Sequence, residues 1–277
     1  MKIKKINLSK DFLSKNIIDY GRRSTVLTYS SNSVLKLYDK TFPKEFVIQE
    51  FSKTLTIFKD TKLHVPKPLE IVEVEKRLGI MYERIVGNSI MNLMMNNVFN
   101  YFILAKEVAK VHKEIHKYSV DIETQEDRYS ELIKNSKKIN KEDKVRLLEI
   151  LNRKYRPVLC HGDFHHGNII KNNKGIDYIL DWGDSFSGSY LLDVALTSVN
   201  AVVSTAPDHV PTLFRSLYEI MKAVLKLDER YLKLYGINID QAKDYLFLAA
   251  AIHLVQNHSE TDGEHFKYFE KYKRAIS

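Results

Sequence analysis

The 277-residue chain has one cysteine, Cys160, so it forms no intrachain disulfide. A lone thiol in the apolar run Val158-Leu-Cys160 suits a reducing compartment and reads as a buried, inert group. No apolar stretch approaches the roughly 20 residues of a membrane-spanning helix. The longest, Tyr245 to Val255, is broken by His253 and reads as a buried helix. The opening Met-Lys-Ile-Lys-Lys is not followed by the apolar core of a signal peptide. These absences point to the cytoplasm and away from a membrane partner. There is no internal repeat and no low-complexity linker. Nor does any basic run interleave with stacking aromatics, so nucleic acid is an unlikely partner although the net charge is +8. That charge is unevenly spread: residues 1–156 hold 31 basic and 20 acidic side chains, and residues 157–277 hold 12 and 15. A basic front portion either attracts phosphates or is a solvated surface.

What is present is globular in composition, 44% hydrophobic and 28% charged, and long enough for a sizeable core in two lobes. The most informative stretch is His161-Gly-Asp-Phe-His-His-Gly-Asn168, continuing to Ile179-Leu-Asp-Trp182. Ile169-Ile-Lys171 and Ile176 to Leu180 read as strands about the turn Asn172-Asn-Lys-Gly175. If residue 171 faces 176, then Asn168 faces 179 and Asp181 lies on the same face, one diagonal away. A one-residue slip places them on opposite faces. Oxygens from Asn168 and Asp181 at that spacing suit Mg²⁺. Asp163, with four residues between it and Asn168, follows the Asp-x-x-x-x-Asn logic of kinase catalytic loops, in which Asp takes the hydroxyl proton and Asn holds metal. The competing readings are a turn or N-cap role for Asp163 and a transition-metal site at His161, His165 and His166. Adjacent histidines do not easily face one centre, so His161 reads as a structural residue bonding nearby backbone.

The same stretch, with Leu180-Asp-Trp-Gly-Asp184 after it, resembles the signature of the aminoglycoside phosphotransferase and choline kinase superfamily, with His166 in place of a frequent proline. Asp193 in Leu191-Leu-Asp-Val-Ala195 is similar to a later structural aspartate of that family. The resemblance implies an α+β, two-lobe protein-kinase-like fold: a β-rich nucleotide-binding lobe over residues 1–86 and an α-rich lobe over 87–277. It implies an Mg²⁺-dependent small-molecule kinase that moves the γ-phosphate of ATP to a hydroxyl of an aminoglycoside-, choline- or sugar-like acceptor. GTP stays open beside ATP, and so does the oligomeric state. Asp163 becomes the catalytic base, and Asn168 and Asp181 the metal ligands.

The front of the chain supports this order of parts. Ile3–Leu8 and Ile17–Tyr20 read as short strands or strand–helix entry, and short strands are expected over Val26–Tyr29, Val34–Tyr38, Leu69–Glu75 and Leu78–Tyr82. By the resemblance, the turn at Gly21-Arg-Arg-Ser-Thr25 corresponds to the loop over the ATP phosphates, with Ser24 as a capping hydroxyl. It has one glycine only, and an ordinary hairpin turn is the competing reading. Lys36 resembles the phosphate-binding lysine. Pro43 to Asp60 reads as a helix from Phe46, Val47, Phe51, Leu55 and Phe58. On it Glu50 is the chosen partner of Lys36, and Glu45 the alternative. Backbone groups from Glu83 to Ile85 are placed at the adenine edge by the resemblance.

Helices are then expected over Phe99–Tyr118, Ser130–Lys138, Lys141–Lys154, Leu191–Ala201, Pro211–Leu225, Leu227–Leu234 and Ile239–Gln256. His112 and His116 lie four apart, as zinc-binding pairs do, but His-Lys-Glu-Ile-His misplaces the general-base glutamate, so core and edge histidines are preferred. Acceptor contacts are sought among Asp184, Glu260, Asp262 and Glu264 for a polyamine, and Trp182, Phe186 and Tyr190 for a quaternary ammonium. Other readings of the chain are a protein kinase, which lacks an Ala-Pro-Glu segment here, and a non-catalytic nucleotide-binding regulator.

Overall fold

A computed structural model describes residues 3–21, 23–96, 100–205, 212–256 and 263–276. They divide into two compact units, residues 1–90 with 167–184, and residues 91–166 with 185–277.

The first unit is built on period-two alternation. Its main sheet contains β1 (Lys4–Lys5), β2 (Ile17–Tyr20), β3 (Ser24–Thr28), β4 (Ser33–Tyr38), β5 (Pro68–Val74) and β6 (Arg77–Glu83), in the order β1-β5-β6-β4-β3-β2. Along β4, Leu35 and Leu37 point to one face, where they pack with Leu27, Val72, Val74 and Met81. Lys36 and Tyr38 point to the other. Helix α2 (Lys44–Asp60) covers that second face with Val47 and Phe51, against Tyr38, Ile71, Leu78 and Ile80. Between β1 and β2 lies α1 (Lys10–Lys15), capped by the Ser9 hydroxyl, which accepts from Phe12 N–H; the helix follows the Ile3–Leu8 stretch, as the strand–helix alternative for that stretch allows.

A second, three-stranded sheet joins β7 (Gly87–Ser89), β9 (Ile169–Asn172) and β10 (Asp177–Ile179), in the order β10-β9-β7. Pairing of β7 with β9 is one of several links that join residues 167–184 to the first unit; Ile179 N–H also donates to the His64 carbonyl at 2.9 Å. The expectation changed lobes after residue 86; the compact units part at Ile90, three residues beyond Gly87.

The second unit is helical. It comprises α3 (Ile90–Asn96), α4 (Tyr101–Ile115), α5 (Gln125–Asn135), α6 (Lys141–Leu151), α7 (Tyr190–Val203), α8 (Thr212–Leu225), α9 (Leu227–Tyr235), α10 (Ile239–Gln256) and α11 (Gly263–Ala275). It also holds the small pair β8 (Val158–Cys160) and β11 (Phe186–Gly188). Helices α7 and α10 are apolar on most sides and form the centre of its core, where the run Tyr245–Val255 lies as expected. Cys160 is fully buried, as expected. Helix α5 starts five residues before the predicted Ser130, because Thr124 and Asp127 form a capping box. Helix α11, buried at Phe269 and Tyr272, was not anticipated. Among the described residues no helix is long and apolar enough to cross a membrane.

A Cβ at Gly87 would collide with the Lys171 carbonyl oxygen across the β7–β9 pair. Gly87→Ala should therefore lower unfolding free energy by about 1–3 kcal/mol. Urea titration checks this; an unchanged midpoint would contradict the pairing.

Candidate active site

In the first unit three elements bring their charges to one point. Lys36 stands on the α2 face of β4. Glu50 lies on the sheet-facing stripe of α2, with Val47, Phe51, Thr54 and Ile57, whereas Glu45 is exposed. Lys36 Nζ donates to Glu50 Oε1 at 2.9 Å and to Asp181 Oδ1 at 2.7 Å. The Tyr82 hydroxyl donates to the same Glu50 oxygen at 3.0 Å. Burial opposes the Lys36 charge, but the Asp181 and Glu50 carboxylates outweigh it and hold its pKa well above the usual lysine value. Burial raises Glu50, against the pull of Lys36. The Asp181 carboxylate is the open member, with its side chain 44% exposed against 15% for Lys36.

The turn 182–184 seats itself against α2. Lys53 Nζ donates to the Gly183 carbonyl at 3.1 Å, and a Cβ on Gly183 would lie 2.8 Å from Glu50 Oε2. Only glycine allows this approach without displacing the carboxylate. Tyr82, Lys53 and Gly183 were not singled out from the sequence. Gly183 had a signal, as it directly follows Asp181-Trp182.

The hairpin register differs from the expected one by a residue. Ile169 faces Ile179 and Lys171 faces Asp177, with Gly175 at φ 78° in the turn. Asn168 therefore stands opposite Leu180, whose N–H donates to the Asn168 carbonyl at 2.9 Å. Strict alternation would then send Asn168 and Asp181 to opposite faces. Neither residue is in a strand, however. Asn168 ends a 3₁₀ turn, His166–Asn168, and Asp181 has φ 61°, in the left-handed region. Local backbone geometry, not a diagonal strand pair, sets the directions of the two residues, which lie on adjacent backbone segments. A non-glycine residue in this conformation stores strain of order 1 kcal/mol, and aspartate is one of the types that adopts it.

In the second unit the loop after β8 is fixed through its backbone. Asp193, wholly buried on α7, accepts from His161 N–H at 2.6 Å and from Gly162 N–H at 2.8 Å. Its Oδ2 also meets His112 Nε2 at 2.9 Å and His116 Nε2 at 3.0 Å. The opposite ring nitrogens meet the Tyr231 and Tyr235 hydroxyls, each at 2.7 Å. Burial, with His116 beside it, lowers His112 to about 4, so its ring is neutral near pH 7: Nε2–H donates to Asp193 and Nδ1 accepts from Tyr231. Burial works against the Asp193 charge, yet its two histidine partners hold it well below the usual carboxylate range. These three residues have the spacing of a metal site, but their donors and acceptors already satisfy one another. His112 is buried and His116 half-buried, the positions of a core and an edge histidine.

His161 is buried and its Nδ1 faces Asp163 N–H at 3.4 Å, the structural role expected. Phe164, 1% exposed, stacks on His112 with centroids 4.1 Å apart. Between these anchors the Asp163 side chain is 41% exposed, 3.9 Å from His165 Nε2.

The remaining candidates separate clearly. Ser24 is buried at the start of β3, opposite Tyr38 and on the sheet face of Lys36. Glu83 N–H is committed to the Lys67 carbonyl at 2.9 Å, and Ile85 follows the end of β6. Trp182 and Phe186 are core side chains, at 1% and 0% exposure, which removes them from any aromatic cage. Tyr190 and Asp184 are exposed, and exposed Glu264 pairs with Lys267 at 3.1 Å. Glu260 and Asp262 lie outside the described residues.

Residues 22–227 match the family model described as the phosphotransferase enzyme family. No curated protein sequence matches the chain. Among solved structures, a thermostable mutant of aminoglycoside phosphotransferase APH(4)-Ia, in ternary complex with AMP-PNP and hygromycin B, superposes with a TM-score of 0.60 at 15% identity, covering 94% of this chain and 91% of that one. The GDP and kanamycin complex of APH(2")-IIIa gives 0.55 at 12% identity, covering 94% and 93%. These neighbours share the α+β fold, with a β-sheet in the N-terminal part and helices in the C-terminal part.

The His112 shift fixes a pH dependence. Its folded pKa lies below the free-imidazole value, so the unfolded chain takes up the proton first and stability falls with pH. The loss should begin near the free-imidazole value of 6.5 and continue to about 4. Urea titrations across that range measure it. His112→Gln should flatten the slope; an unchanged slope would place the titration elsewhere.

Proposed function

Because the chain belongs to the phosphotransferase enzyme family, we propose that it moves the γ-phosphoryl group of ATP to a hydroxyl of a small molecule. The observation that carries this reading is the Lys36–Glu50–Asp181 cluster, a cation poised between a fixed carboxylate and an exposed one. Glu50 holds the lysine side chain in place. The ammonium then exchanges its contact with Asp181 for α- and β-phosphate oxygens when nucleotide arrives. Ser24, on the same sheet face, offers a hydroxyl to the phosphates, and within Glu83–Ile85, where the Glu83 and Arg84 N–H groups are bonded to the Lys67 and Asn32 carbonyls, the Ile85 N–H would serve the adenine edge. GTP remains an alternative donor, since one structural neighbour holds GDP.

Asn168 and Asp181 are hard oxygen donors on adjoining backbone segments, tied by the Leu180–Asn168 bond, and this donor set fits Mg²⁺. The ion, when bound there, neutralises phosphate charge. Asp163 accepts the proton of the acceptor hydroxyl as its oxygen bonds to the γ-phosphorus and the bond to the β-bridging oxygen breaks, releasing ADP. With Trp182 and Phe186 buried, acceptor recognition rests on hydrogen bonds and carboxylates, which favours a hydroxyl-rich sugar or aminoglycoside over a quaternary ammonium.

A coupled ADP-release screen over aminoglycosides, sugars and amino alcohols tests the reading; no turnover with any of them, alongside intact nucleotide binding, would favour a regulator instead. Against a working acceptor, Asp163→Asn should lower kcat by about 10²–10⁴-fold and leave ADP affinity unchanged. Asp181→Asn should weaken nucleotide binding only when Mg²⁺ is present. Equal loss of ADP affinity in the Asp163 variant would contradict its role as base.

A further inference from the structure

The second unit contains a cavity of about 600 Å³, within the usual range for small-molecule sites. Its wall is cationic. Lys113 and Lys117 come from the end of α4, and Lys154 and Arg156 from the segment between α6 and β8. No carboxylate is among the lining side chains. Three touch lining side chains: Glu114 pairs with Lys117 at 2.6 Å, Glu126 accepts from the Tyr155 hydroxyl at 2.7 Å, and the buried Asp193 meets His116 at 3.0 Å from behind the wall. Lys154 and Arg156 have no ion-pair partner among the described residues, and the Lys113 ammonium lies 5.3 Å from the Tyr235 ring centroid.

The floor is aromatic and fixed. Tyr235 and Tyr245 are 9% and 7% exposed, and Tyr190 stacks on Tyr235 at 6.2 Å with planes 21° apart. Like charges around one concavity raise the local concentration of anions, and aromatic walls favour a planar group over a bare ion. A polycationic molecule is repelled by the same wall, so the cavity is unsuited to an aminoglycoside.

One lining residue leads to the catalytic loop. His116 bonds the Tyr235 hydroxyl through Nδ1 and approaches Asp193 Oδ2 through Nε2. Asp193 accepts the N–H groups of His161 and Gly162, the two residues before Asp163. Two hydrogen bonds therefore connect the cavity wall to the backbone that positions Asp163. We propose that this cavity binds a small aromatic anion, carrying a phosphate, sulfonate or carboxylate, and that the catalytic loop reads its occupancy through His116 and Asp193. The binding step stands independently of the phosphotransfer assignment.

Phenyl phosphate titrated into the full chain, followed by calorimetry, tests binding. Saturable one-site binding is expected, with phenol and inorganic phosphate each about tenfold weaker or more. The double variant Lys154→Glu, Arg156→Glu should lose at least about tenfold in affinity; both side chains are exposed, and circular dichroism checks that the fold persists. Lys36→Met should bind the probe as the parent does. Loss in Lys36→Met with retention in the double variant would seat the probe among the first unit's charges and overturn the proposal, as would the absence of saturable binding. Hydrogen exchange at the His161 and Gly162 amides should slow on saturation. Binding with unchanged exchange overturns the coupling.

Discussion

A buried ammonium loses its hydration, and the penalty is several kcal/mol unless other charges replace the water. Lys36 keeps its proton because carboxylates reach it from two directions. Neither is placed by electrostatics. Leu35 and Leu37 fix the strand by packing on its far face, which turns Lys36 toward α2. Val47, Phe51 and Ile57 fix the rotation of α2, which turns Glu50 toward the sheet. Trp182, 1% exposed and bonded through Nε1 to the Ile179 carbonyl at 3.0 Å, pins the segment that carries Asp181. Apolar burial sets three backbones, and the charges then have one arrangement in which all are paired. Removing one carboxylate leaves a buried cation short of partners, which explains why the cluster depends on elements far apart in sequence.

The sequence made the charged groups legible because their order and spacing are themselves unusual. Asp163, Asn168 and Asp181 stand out in a short stretch, and Lys36 and Glu50 sit at consistent phases of a strand and a helix. The family resemblance selects Glu50 over Glu45, and the burial of Val47, Phe51 and Ile57 beside it on α2 agrees with that choice. The hairpin register was less legible. A turn rich in Asn and Gly fits more than one loop length, and a one-residue change moves every side chain. The positive φ of Asp181 was not legible either, since local composition does not announce a left-handed aspartate. Trp182 and Phe186 misled for a related reason: an aromatic near a site has the same letter whether it lines a pocket or fills a core. The α1 and α5 starts were recoverable, as Ser9 and the Thr124–Asp127 pair are ordinary capping signals that hydrophobic periodicity overlooks.

The second unit solves a complementary problem with a buried anion. Asp193 is charged in a core, and donors from α4 and from the loop after β8 surround it. The consequence for chemistry lies in how the loop alternates. His161 and Phe164 are buried, one held by its backbone on Asp193 and the other stacked on His112. Asp163 stands between them with an exposed carboxylate. A general base needs both properties: a backbone that cannot wander and oxygens that solvent and acceptor can reach. Burying the carboxylate itself would secure its position but would also desolvate it and favour the neutral acid. Placing the buried charge on Asp193, outside the loop, separates the two demands. The core aspartate supplies rigidity, and the loop aspartate stays available for the base role proposed for it.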